Sequence, residues 1–223
     1  MPPLNDLTIE WNGTVTLEVS TSIFHLLHAL ADKVCQSAIR YGERQSYRCL
    51  ARNPLDATDS SCFEISIANS VAPPTGATIA FVGNALCPAR NGLTFVTAEQ
   101  VCHLTPSLAT LAHESMNVIG VVGRGEVLRR ESVRPDLGTD GWWCLWVRHN
   151  VWLPSPVTDE SQQSGQILQF GVLYTDREGI ISGLATEVCR VGTVISLVGT
   201  VLKYAQQERV WIVIVSIQLD TFV

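Results

Sequence analysis

The sequence predicts an all-β protein with one N-terminal helix, built as two tandem five-stranded barrels. The first observation behind this is an internal repeat. Gly76 to Leu86 aligns without a gap on Gly192 to Leu202, with five of eleven positions identical and an offset of 116 in a chain of 223 residues. Each copy is followed at the same distance by a β-type run, Leu93 to Val101 and Arg209 to Ile217, so a strand pair is duplicated. The second is composition: 46% hydrophobic and 16% charged residues describe a chain with enough apolar material for two cores of about 100 residues each. The third is punctuation, because the apolar runs are short and broken by Gly and Pro. The expected domains are 1–105 and 116–223, joined by a linker from Thr105 to Ser115.

In the first domain, Leu7 to Val19 reads as one or two strands around a turn at Asn12-Gly13. Ser20-Thr21-Ser22 offers caps for a helix from about Ile23 to Tyr41, in which Ile23, Leu26, Leu27, Leu30, Val34 and Ala38 recur at helical spacing. Strands follow at Ser46 to Ala51, Cys62 to Ala68, Ala77 to Leu86 and Leu93 to Leu104, with Asn91-Gly92 turning the last two. In the second domain, Met116 to Arg130 is a long β run bent by three glycines. Trp142 to Trp152 is the next strand, Gln166 to Tyr174 the third, Ile180 to Val188 a short helical or turn segment, and Thr193 to Leu202 and Val210 to Leu219 the last two.

The order β, β, β, short α, β, β with a glycine-curved first strand resembles the oligonucleotide/oligosaccharide-binding (OB) barrel. Val118-Ile119-Gly120-Val121-Val122-Gly123 and Gly192 to Gly199 are most similar to the barrels of replication protein A and other eukaryotic single-strand binders. That resemblance implies a ligand groove lined in part by the second strand.

The bulk charge narrows the function. A net charge of −6 divides into 6 basic against 9 acidic residues up to position 110 and 9 against 12 after it, so neither domain is basic. This lowers the expectation of a protein living on phosphate attraction alone. The start Met1-Pro2-Pro3-Leu4 lacks the pattern of a signal peptide. Residues 65–89 carry no charge but contain Pro73, Pro74, Gly76, Gly83 and Pro88 and read as strand, turn, strand, so no membrane span is expected. Seven cysteines without a C-x-x-C pair read as reduced core thiols, favouring nucleus or cytoplasm.

The densest chemical signal is Trp142 to Trp152, which holds four of the six tryptophans. Alternation puts Trp143, Leu145, Val147 and Val151 on a core face, and Trp142, Trp146, Arg148, Asn150 and Trp152 on the other. Indoles interleaved with Arg suit the stacking of single-stranded bases. The competing reading packs these tryptophans against the other domain or the long loop. Arg124, Arg129 and Arg130 are the candidate phosphate contacts, although Glu126, Glu131 and Asp136 among them also fit an ordinary mixed surface.

Metal, cofactor and catalysis find no support. His25, His28 and Cys35 lack a second ligand cluster, and Cys102-His103 and His113 lack any base or oxyanion hole. The expectation is a non-enzyme with no cofactor that binds single-stranded nucleic acid, DNA foremost and RNA as a variant. The rival is a protein-interaction scaffold or homo-oligomer in which the apolar run Val210 to Val215 pairs with a partner's strand edge.

Overall fold

Alternating apolar residues dictate the strands, and glycines let them cross closely enough to curl. A computed structural model describes residues 7–19, 44–86, 94–133, 142–154, 165–176, 181 and 189–222. The strands are β1 (Ile9–Thr16), β2 (Glu18–Val19), β3 (Arg44–Asn53), β4 (Asp56–Ala68), β5 (Thr78–Leu86) and β6 (Phe95–His103), then β7 (Ile119–Val133), β8 (Trp142–Pro154), β9 (Gly165–Thr175), β10 (Val194–Ala205) and β11 (Val210–Phe222). Between β6 and β7 runs a short helix, α1 (Pro106–Leu111), capped by the Thr105 hydroxyl accepting from Leu108 N–H at 3.5 Å. The expected linker is therefore partly helical. The expected helix from Ile23 to Tyr41 and the Asn91-Gly92 turn lie outside the described residues, as does nearly all of the Ile180 to Val188 segment.

The C-terminal strands close. β7 pairs β8, β8 pairs β9, β9 runs parallel to β11, β11 pairs β10, and β10 returns to β7. This is a closed five-stranded OB-like barrel, with the parallel pair between its third and fifth strands. Both edges of β11 are occupied from Trp211 to Ile214, by β9 and by β10. The run Val210 to Val215 consequently has no edge there to offer a partner, which corrects that part of the scaffold expectation.

The N-terminal strands repeat the order. The ladder runs β2, β3, β4, β6, β5, β1, with β4 and β6 parallel and the other pairs antiparallel, and β1 and β2 are separated by Leu17 alone. The repeated glycines occupy matching places. Gly83 on β5 and Gly199 on β10 both sit at a register shift, and a β-carbon on either would collide with a backbone carbonyl, that of Thr97 or that of Ile214. Gly199→Ala is expected to destabilise the protein by roughly 1–3 kcal/mol through this overpacking. Urea unfolding followed by circular dichroism would measure it.

The two halves meet in a continuous sheet of eleven strands. β1 pairs β7 antiparallel, with Ile9 opposite Gly123, Trp11 opposite Val121 and Gly13 opposite Ile119. Trp11 is also opposite Gly83, and Val121 opposite Gly199. Trp11 and Val121 thus hold equivalent positions and pair with one another, so the ladder register has a local two-fold axis at that pair. The turn expected at Asn12-Gly13 does not form, since β1 runs straight through both residues. Gly13 serves close approach instead: a β-carbon there would lie 2.8 Å from the Val118 carbonyl oxygen.

The core follows the sheet across the seam. Trp11 meets Phe63 edge-on at 5.4 Å and Trp211 at 5.0 Å, and Trp211 meets Tyr204 at 5.4 Å. Trp211 Nε1–H donates to the Thr94 hydroxyl of the other half. One buried cluster therefore runs from Ile9 and Phe63 to Val213 and Val215.

Candidate nucleic-acid interface

The second strand of the barrel, β8, has its inner face where alternation predicts it, while Asn150, expected on the outer face, is buried. Leu145 and Val147 are fully buried, and Trp143 and Val151 pack against the core. His149 shares that face and is fully buried too. Its Nδ1–H donates to the Arg124 carbonyl at 3.0 Å and its Nε2 accepts from the Tyr174 hydroxyl at 3.1 Å. Burial drives its pKa down to about 4, against the opposing pull of the Arg124 and Thr8 backbone groups. Such a histidine is a neutral structural bridge at ordinary pH.

The outer face of β8 opens onto a groove. Trp146 is half-buried there, and the ladder register aligns one residue from each strand across the outside of the barrel: Arg129 on β7, Trp146 on β8, Leu173 on β9, Ile212 on β11 and Lys203 on β10. The Arg129 guanidinium carbon stands 5.0 Å from the Trp146 ring centroid, a cation–π contact. The groove, about 580 Å³ in volume, is lined by Trp146, Leu173, Lys203 and Ile212, with Asp59, Glu131 and Glu208 at its sides. Its floor, Trp146, Leu173 and Ile212, is apolar. Its carboxylates disfavour phosphates inside, so a strand in it would face its bases inward and its phosphates toward Arg129 and open solvent.

The expected residues fall into three groups. Arg129 and Trp146 come together on the outer face. Arg130 stands opposite the buried Leu145, with its guanidinium 4.3 Å from the Trp143 ring centroid, away from the groove. Arg148 pairs with Glu126 directly opposite on β7, so its charge is already engaged. Arg124 lies five residues before Arg129 on β7, opposite Ser196 of β10, and its N–H donates to the Thr8 carbonyl at 2.8 Å. Trp142 and Trp152 have the strand positions of the outer face, but their side chains lie outside the described residues. Arg129 also pairs with Glu131 at 2.8 Å, both groups about half exposed, and such a pair is weak enough to yield to a phosphate.

Leu173, Ile212 and Lys203 were not expected at the site. Their signal is the pairing register, which brings three other strands level with Trp146. Among the described residues no three His, Cys, Asp or Glu side chains converge on a metal position. His25, His28 and Cys35 lie outside those residues, as does the His113 side chain. No helix among them is long and apolar enough to cross a membrane.

No protein-family model matches the chain, and no curated protein is similar to it in sequence. Two solved structures align with most of the chain. A single-stranded DNA-binding protein from Thermus aquaticus superposes with a TM-score of 0.43 at 11% identity, covering 96% of this chain and 91% of that one. A deletion mutant of the Thermus aquaticus protein gives a TM-score of 0.44 at 14% identity, covering 97% and 96%.

Proposed function

We propose that the protein binds single-stranded nucleic acid, DNA foremost, on the outer face of its C-terminal barrel, and that it acts by binding without a catalytic step. The row Arg129, Trp146, Leu173, Ile212 and Lys203 carries this reading, because it joins a stacking platform and an apolar floor to a cation at each end. Bases stack on an exposed indole face whatever their identity, so the reading implies little sequence preference. The repeated strand order supports a pair of tandem OB barrels of the single-strand-binding kind, with β1 and β2 acting as one bent first strand. Cys49, Cys62, Cys102, Cys144 and Cys189 are free thiols, which supports work in a reducing compartment, nuclear or cytoplasmic.

A titration of a fluorescently labelled single-stranded oligonucleotide at low salt tests the proposal. Binding is expected, and Trp146→Ala is expected to weaken it roughly ten- to hundredfold, the loss of one stacked base. No binding at tens of micromolar, or equal binding by the variant, would remove the idea.

A further inference from the structure

The two-fold register matches β1 with β7 and β3, β4, β5 and β6 with β8, β9, β10 and β11 in turn. In the C-terminal half, Tyr174 of β9 faces Val213 on one side and Leu145 of β8 on the other. In the N-terminal half, Ile65 of β4 faces Val96 and Tyr47 in the same way. β3 is therefore the counterpart of β8, and Arg48, one residue after Tyr47, stands where Trp146 stands after Leu145.

Arg48 is the middle of a row. Tyr47, Cys49 and Ala51 are buried, so Arg44, Arg48 and Arg52 share the outward face of β3, about 13 Å between neighbours on an extended strand. They are half of the six basic residues in the first 110 positions of an acidic protein. Neutral acceptors hold their guanidinium groups in place. Arg44 donates to the Ser66 hydroxyl at 3.1 Å and to the Ser66 and Ala98 carbonyls at 2.8 and 2.9 Å, Arg48 to Cys62 Sγ at 2.9 Å, and Arg52 to the Glu114 carbonyl. Such bonds fix a guanidinium without cancelling its charge, and each leaves N–H donors over. Arg48 alone has carboxylates across the ladder, Glu64 on β4 and Glu18 on β2. Among the described residues no ion pair engages Arg44 or Arg52.

The row is joined to the groove through one hairpin. Asp59 of β4 lines the groove, and Ser61 accepts a hydrogen bond from Tyr204 N–H at 2.9 Å, so the end of the β3–β4 hairpin borders the Trp146 site. Arg44, Arg48 and Arg52 lie on β3, the other strand of that hairpin, with Arg52 opposite Ser60, the residue next to Asp59.

We infer that β3 is a second nucleic-acid contact surface, where Arg44, Arg48 and Arg52 hold phosphates of the same strand whose bases stack at Trp146. The inference rests on the single-strand binding proposed above and adds a division of labour. The C-terminal barrel holds bases through an indole, and the N-terminal barrel holds backbone through charge.

The test measures the affinity of a long and a short single-stranded oligonucleotide against salt concentration. Each lost phosphate contact reduces the slope of log K against log salt by about 0.7 for a single strand. Arg48→Gln with Arg52→Gln is expected to reduce the slope for the long oligonucleotide by about 1.4 and to leave the short one, which fills only the groove, unchanged. Arg48→Lys with Arg52→Lys, which keeps the charge, is expected to retain the slope and guards against a folding artefact, alongside a thermal melt of each variant. An unchanged slope in the Gln variant, with Trp146→Ala still weakening binding, would overturn the second surface and leave the groove intact. If the wild-type protein binds neither oligonucleotide, the single-strand reading falls and the second surface with it.

Discussion

Trp211→Ala is expected to cost about 3–5 kcal/mol and to melt both halves of the chain together. Trp211 is fully buried, touches Trp11 and Tyr204 edge-on, and donates to Thr94 from its indole N–H. Truncation would leave a cavity at the seam and an unpaired hydroxyl beside it. For a chain of this size the loss corresponds to a fall in Tm of about 10 °C. Two self-contained domains would give two melting transitions, only one of them sensitive to Trp211. The shared aromatic cluster predicts a single calorimetric transition that moves as a whole.

Acidification is expected to remove about 3 kcal/mol through His149 alone. Its folded pKa is lowered from the usual 6.5 to about 4 by burial, while in the unfolded chain it titrates normally. Between these values the unfolded state binds a proton that the folded state does not, so the stability contributed by neutral His149 is complete above pH 6.5 and is lost as pH falls toward 4. The proton would have to enter at Nε2, which accepts from Tyr174, beside Asn150, whose backbone N–H donates to the Leu7 carbonyl just before β1. The imidazole resonances of His149 followed by NMR are expected to stay neutral until about pH 4, whereas titration near pH 6.5 would show that the ring is open to water.

Much of the architecture is legible in the residues. Alternation placed β8 with Leu145 and Val147 inward and Trp146 outward, and the repeat around Gly83 and Gly199 marked two equivalent strand pairs. Three features escaped for physical reasons. Asn12-Gly13 carries a strong turn signal, but the glycine there answers the approach of Val118, more than a hundred residues away. The pairing of β1 with β7 joins the halves without any local period to announce it. His149 sits at an inward position of β8, yet only the Arg124 carbonyl and the Tyr174 hydroxyl, both distant in sequence, make its burial tolerable. The arginines of β3 recur at every fourth residue in plain view, and their meaning depends on matching β3 to β8, which requires the ladder register. The site was half readable for the same reason: Arg129 and Trp146 were expected as contacts, while Leu173, Ile212 and Lys203 join them only through strand pairing.

The most direct measurement is photochemical cross-linking of a single-stranded oligonucleotide to the protein, followed by mass mapping of the attached peptide. A principal cross-link at Trp146 is expected, lost on addition of excess unlabelled single strand. Cross-links confined to surfaces away from the groove of β8, β9 and β11, or none at saturating oligonucleotide, would contradict it.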